Sequence, residues 1–307
     1  MQLRPKYVHV VANPAKERRA ALLTTLNNRF RPVGIEWQVS VTHHPGDAKK
    51  YAAQAVKNGA EVVASFGGDG TVMEVAGALA GTKVPLLILP GGTGNLVAQE
   101  LGVPPSVSRA CKRLTGETIE SRPVDVGRMG NHHFLLRVGC GFETDVLQDA
   151  TRELKNQFGK WAYVFASIKA LQQIPVANYR LTLDNNEVVE SRGIACAVAN
   201  AGTIGIGKLV LSRAIDIDDG KLDVILIRSG QIDGILELAS KVMGLQRGEA
   251  NEPEAGLDAS HLVNHWQVDN ICIESDPIQG LQADGDLIAA ETPQTIEVLP
   301  KALHVVI

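Results

Sequence analysis

Short apolar runs alternate with amphipathic ones along the first hundred residues. YVHVVAN (7–13) is a β-branched run that stops at Asn13-Pro14, a turn signal. Residues 16–30 place Leu22, Leu23, Leu26 and Phe30 at helical intervals, and IEWQVSVT (35–42) alternates as a strand does. An Ala-rich helix is predicted over 46–58, stopped by Gly59. EVVASF (61–66) predicts the next strand, Thr71–Leu79 a helix, VPLLILP (84–90) a buried strand and GNLVAQELG (94–102) a further helix. Repeated β-α-β units of this length predict a parallel sheet with ligands at the carboxyl ends of its strands.

Beyond about residue 122 the period shortens to two. VDVGRMGNHHFLLRVGCGF (124–142) and NYRLTLDNNEVVESRGIACAVANAG (178–202) alternate around turns such as Asp184-Asn185-Asn186, as antiparallel strands do. One long helix is predicted over about 148–173. Strands return in KLDVILIR (221–228), NICIES (270–275), TIEVLP and ALHVVI, while GEANEPEAG (248–256) reads as a surface loop. The predicted fold is an α/β N-terminal domain with a parallel sheet over 1–122 and a β-rich antiparallel C-terminal domain over 123–295. The last strand, 296–307, is free to return to the first domain.

Composition narrows the function classes. The 307 residues are 45% hydrophobic and 21% charged, ordinary for a globular protein, and the net charge of −4 disfavours a nucleic-acid partner. Cys111, Cys140, Cys196 and Cys272 form no C-x-x-C pair and read as small buried hydrophobes of a reducing compartment. The first apolar run is too short for a signal peptide, and no run approaches the roughly 20 apolar residues that cross a bilayer. A cytoplasmic protein is expected. His43-His44 and His132-His133 lack acidic or cysteine partners at ligand spacing and read as surface or packing residues.

The chemistry concentrates in two glycine clusters. GGDGT (67–71) and GGTGN (91–95) each follow a strand and precede a helix, where free backbone N–H groups and a helix N-terminus favour anions. Neither is a Walker A loop, since no Lys follows, and Met73 stands where G-x-G-x-x-G needs its third glycine. Asp69 lies among the glycines. A carboxylate beside a phosphate requires a cation between them or a hydroxyl to orient, and magnesium is the usual cation. The bland alternative is that the glycines only solve backbone geometry, with Asp69 as a helix cap.

GGDGTVMEV, PGGTGNLVAQELGV, DDGKLDV and ADGD, in this order, resemble the diacylglycerol-kinase catalytic family. That family includes bacterial lipid kinases and sphingosine kinases and is related to NAD kinases. The resemblance runs from Val10 to the C-terminus. It implies an ATP- and magnesium-dependent kinase of lipid and phospholipid metabolism, acting on a hydroxyl of a diacylglycerol, sphingoid or related lipid. The nucleotide contacts it implies are Asn13, Thr42, the turn of Gly67, Gly68, Asp69, Gly70, Thr71, Val72, Met73 and Glu74, and Thr93 with Gly94 in the second turn. The family's glycine shortly after Asn-Pro is missing from "NPAKERR".

The resemblance also implies a magnesium loop, with the carboxylate of Asp219 and the backbone carbonyls of Asp216 and Lys221 as ligands. Asp286 stands where the family carries a glutamate base, with Asp284 close behind and Asp69 meeting both at the metal and the acceptor hydroxyl. These segments equally fit a strand turn with acidic tips and an Asp-Gly hairpin. The implied partner is a membrane-derived lipid, met by transient peripheral contact at the inner membrane face. Bacterial family members are often dimers, so a homodimer is compatible. Leu154, Phe158, Trp161, Phe165, Ile168 and Leu171 form a helical stripe that fits a core face or an interfacial helix. The rival readings are an NAD kinase, which shares GGDGT, and a nucleotide-binding regulator that has lost catalysis.

Overall fold

The computed structural model describes residues 2–14, 20–141, 176–206, 209–210, 215–228 and 264–307. The helix expected over 148–173, with its apolar stripe, and the loop at 248–256 lie outside these residues.

The first half alternates as its hydrophobic pattern requires: β1 (Tyr7–Ala12), α1 (Ala20–Phe30), β2 (Glu36–Val41), α2 (Asp47–Lys57), β3 (Val62–Gly67), α3 (Asp69–Leu79) and β4 (Leu86–Pro90). Two short helices follow, α4 (Leu96–Glu100) and α5 (Val107–Lys112). The strands lie parallel in the order β4-β3-β1-β2. All residues of β3 and β4 are buried, as befits central strands of a parallel sheet covered on both faces. Both glycine clusters therefore sit at carboxyl ends of neighbouring central strands.

The second half is antiparallel. Its strands are β5 (Ser121–Met129), β6 (His132–Phe134), β7 (Arg137–Cys140), β8 (Ala177–Thr182), β9 (Val188–Gly193), β10 (Ala195–Ala199) and β11 (Leu222–Ile227). They continue with β12 (Asn264–Val268), β13 (Asn270–Asp276), β14 (Gly280–Ala283), β15 (Asp286–Glu291) and β16 (Gln294–Val306). One antiparallel sheet has the order β12-β11-β10-β7-β14-β15. The strands β9-β8-β13-β16 instead continue the sheet of the first half. The result is an α/β domain with a mostly parallel sheet followed by an antiparallel β-sandwich.

The segments TIEVLP and ALHVVI, which read as two strands, are one strand, β16. Its register slips between Leu299 and Leu303, where Pro300 lacks an N–H and Lys301 has a φ of +52°. Below the slip β16 pairs with β13 (Ile271 opposite Ile296); above it Val305 lies parallel to Leu86 of β4. β5 flanks the strand along both stretches. Separate apolar cores fill the two halves, and Met73 of α3 packs against both.

Candidate active site

The two glycine turns are in direct contact. A methyl group placed on Gly92 would lie 2.5 Å from the Cα of Gly68 and 2.9 Å from Asn95 Oδ1, so only glycine allows this approach of one backbone to another. A methyl on Gly67 would meet Thr71 Oγ1 at 2.5 Å. Gly91 N donates to Gly67 O at 2.9 Å, closing the seam between the turns. Asn95, in the left-handed region with a φ of 50°, holds the second turn from within: Gly92 N donates to its Oδ1 and its Nδ2 donates to Gly92 O, each at 2.9 Å.

The first turn opens α3. Gly68 is its N-cap in an extended conformation, and Val72 N donates to Gly68 O at 3.1 Å. The N–H groups of Asp69, Gly70 and Thr71 precede the first intrahelical bond and point out of the helix end, where the dipole favours an anion. Thr71 Oγ1 accepts from Asn13 Nδ2 at 3.1 Å, which ties the end of β1 to this turn. Asp69 does not cap its own helix. Its Oδ1 accepts from Val97 N at 3.1 Å, at the start of α4, so one carboxylate bridges the two turns.

The other expected nucleotide contacts sort by where their side chains point. Thr93 and Gly94 are exposed at the tip of the second turn. Thr42 is buried at the end of β2 and its backbone N–H donates to Ala12 O at 2.9 Å. Val72 is buried in the first core and Met73 packs between the two, so neither side chain faces the turn's open side. The carboxylate of Glu74 is spent on α2: Gly46 N donates to Oε1 at 2.9 Å, and Ala48 N and Lys49 N to Oε2 at 3.0 and 3.3 Å. That makes Glu74 an N-terminal cap supplied by a neighbouring helix.

The second half contributes a hairpin. Asp284 and Gly285 have φ values of +50° and +94°, the two positive φ angles of a type I′ turn, with Ala283 opposite Asp286. Asp286 is exposed, and its Oδ2 lies 3.3 Å from where a methyl on Gly70 would be. It therefore stands over the N-terminus of α3, beside Gly70. Asp284 turns the other way. Its oxygens accept from Leu135 N (2.9 Å), Leu136 N (2.9 Å) and Arg137 N (2.7 Å). Burial pushes its carboxyl up to about 6 against the pull of those three N–H groups and of the Arg137 charge. Of the three carboxylates expected to meet, Asp286 reaches Gly70, Asp69 bonds the start of α4 and Asp284 anchors the hairpin.

The acidic loop at 216–221 is held from β5. Arg122 pairs with Asp218 at 2.6 Å and with Asp216 at 3.2 Å, and it keeps the Asp218 carboxyl below the ordinary range. Asp125, fully buried, accepts from Gly220 N and from Lys301 N, each at 2.6 Å. Asp219 accepts from Lys221 N at 2.9 Å and from Gln267 Nε2 at 3.3 Å. Burial raises its pKa, and the nearby charges of Asp125 and Asp216 add to the rise. Among the described residues no group of three or more His, Cys, Asp or Glu side chains is arranged to hold a metal ion.

The sequence reading missed Asn95, Arg122 and Asp125. Asn95 was legible, since asparagine tolerates the left-handed region and bonds its local backbone. Asp125 was not, because its partners lie 95 and 176 residues away.

The α/β domain and the antiparallel β-sandwich that follows it each match a domain of the lipid-kinase class. Residues 7–129 match the diacylglycerol kinase catalytic domain, and residues 137–307 match the YegS C-terminal NAD kinase beta sandwich-like domain. The chain belongs to this diacylglycerol kinase family. A Staphylococcus haemolyticus protein bearing a lipid-kinase name is 31% identical over 273 residues, covering 87% of this chain and 84% of that protein. An uncharacterized Synechocystis protein is 28% identical over 272 residues, covering 87% of this chain, which spans 60% of that longer relative. A crystal structure of a diacylglycerol kinase from Bacillus anthracis superposes with a TM-score of 0.79 at 24% identity, covering 100% of this chain and 98% of that one. No helix among the described residues is long and apolar enough to cross a membrane.

Proposed function

We propose that the protein transfers the γ-phosphoryl group of ATP to a hydroxyl of a diacylglycerol, sphingoid or related lipid. The observation that carries this reading is the seam of two glycine turns with Asp286 standing over it from the other half. Backbone cradles of this kind fit a polyphosphate, because their free N–H groups favour its oxygens, and a methyl on Gly92 would push the two turns apart.

In this reading the orphan N–H groups of Asp69, Gly70 and Thr71 hold phosphate oxygens, and Asn13 fixes the Thr71 hydroxyl beside them. Thr93 and Gly94 close the second side. Asp286 takes the proton of the attacking hydroxyl, and Asp284 keeps Asp286 at the right height by pinning the hairpin to residues 135–137. A magnesium ion bound with ATP would supply stabilisation of the negative charge on the transferred group. In this reading Asp69 is the carboxylate that would meet that ion. Magnesium commonly binds through one or two carboxylates together with substrate phosphates, and one carboxylate here would suffice for an ion held in that way.

A second, structural magnesium fits the loop at 216–221. Asp219 sits among like charges that a cation would relieve, and in this reading the carbonyls of Asp216 and Lys221 would join it as ligands. The acceptor reaches the site by transient contact with a membrane surface.

The deciding experiment is incubation of the purified protein with labelled ATP, magnesium and a total lipid extract, followed by identification of the labelled product. A phosphorylated lipid supports the reading. Phosphorylation of NAD in its place overturns it, and ATP binding with no labelled lipid makes the protein a nucleotide-binding regulator.

A further inference from the structure

The four cysteines are scattered along the sequence, yet the fold sets two of them against each other. Cys140 is the last residue of β7 and Cys196 the second of β10, and they are register partners in the antiparallel ladder. Directly opposed residues in such a ladder have Cα atoms about 4.5–5.5 Å apart, inside the roughly 4.4–6.8 Å that a disulfide spans. Both side chains belong to the second core, at 1% and 0% exposure, so they lie on one face of the sheet.

The two thiols are chemically unequal. A hydrogen bond from the Cys196 thiol holds Cys140 below the ordinary thiol range, and the same bond, with burial, pushes Cys196 well above it. The two thiols thus share one hydrogen bond, which favours ionisation of one sulfur while the other keeps its proton. The pair sits at a strand end, followed at once by Gly141 with a φ of +91°. The Tyr179 hydroxyl, which donates to Gln279 Oε1 at 2.6 Å, lies beside Cys140. The other two cysteines have no such arrangement. Burial pushes Cys111 up to about 12, and Cys272 has Thr182 and Thr295 opposite it in the ladder.

We propose that Cys140 and Cys196 form a peroxide-oxidisable dithiol that closes to a disulfide between β7 and β10. The Cys140 thiolate attacks one oxygen of a hydroperoxide; an S–O bond forms, the O–O bond breaks, and the leaving oxygen departs as water or alcohol after taking a proton. The Cys196 sulfur then attacks the sulfenic sulfur of Cys140. The S–S bond forms, the S–O bond breaks, and the Cys196 proton leaves with the departing hydroxide as water. Two electrons pass from the sulfurs to the peroxide, and a dithiol reductant reverses the change. This proposal is independent of the kinase reading.

The test uses the full-length, reduced protein, treated with hydrogen peroxide, then denatured, alkylated and mapped by mass spectrometry. The expected result is loss of two of the four thiols, a cross-linked peptide joining Cys140 to Cys196, and full recovery with dithiothreitol. Cys140→Ser should keep its three remaining thiols under the same dose, Cys196→Ser should lose only Cys140, as a sulfenic acid without a cross-link, and Cys111→Ser should lose two as the parent does. Retention of all four thiols in the parent overturns the proposal. So does oxidation without the 140–196 cross-link, and because the map is read on the unsubstituted protein, neither result depends on a variant folding.

Discussion

At the scale of single residues, the aspartates of QADGDLI divide the labour that their spacing left open. Asp286 is exposed beside Gly70, so its replacement leaves packing almost untouched while removing the proposed base. Asp286→Asn should lower phosphoryl transfer by about 10²–10⁴-fold, the usual worth of a general base, with the melting temperature unchanged. Activity within a fewfold of the parent would remove Asp286 from the mechanism. Asp284 makes a different prediction. Burial raises its carboxyl to about 6 from an ordinary 3.8, so the folded state holds the proton more tightly than the unfolded chain. Its contribution to stability is full below pH 3.8 and is lost as pH rises to about 6. Urea midpoints of the parent should therefore fall over that window relative to those of Asp284→Asn, and parallel curves would contradict the assignment.

At the scale of elements, the glycine seam depends on backbone meeting backbone. Gly92→Ala would force its methyl against Gly68 Cα at 2.5 Å, and a backbone atom cannot swing aside. Gly94→Ala meets Asp69 Oδ2 at 3.1 Å, on a side chain that can give, and Leu96 at an ordinary contact distance of 3.7 Å. Calorimetry should show nucleotide binding lost in Gly92→Ala and weakened much less in Gly94→Ala; equal affinities would mean the seam does not shape the site. Much of this level was readable in advance. Periodicity located β3 and α3, observed at Val62–Gly67 and Asp69–Leu79, to within two residues, because a buried apolar run followed by glycines leaves a parallel strand few other endings. It could not show that Glu74 caps α2 or that Asp69 grips α4, since those bonds join helices 28 residues apart. Nor could alternation show that TIEVLP and ALHVVI are one strand, because Pro300 interrupts the pattern while the ladder resumes beyond it.

At the scale of the whole molecule, β16 belongs to both halves. It lies beside β13 and β5 of the second half and reaches β4 of the first. The halves should therefore melt in a single calorimetric transition. A chain ending at residue 293 should fail to give either half in folded form, as read by circular dichroism and proteolysis. Two separate transitions in the full chain would show the shared strand to be dispensable.

The carboxylate of Asp125 clasps Gly220 in the acidic loop and Lys301 at the kink of that strand with its two oxygens. An ion settling near Asp219 would thus be felt at the backbone joint between the lobes, through one buried side chain and no moving loop. Amide exchange at Lys301 should slow when magnesium is added and quicken in Asp125→Asn, making this single proton a gauge of whether the acidic loop is loaded.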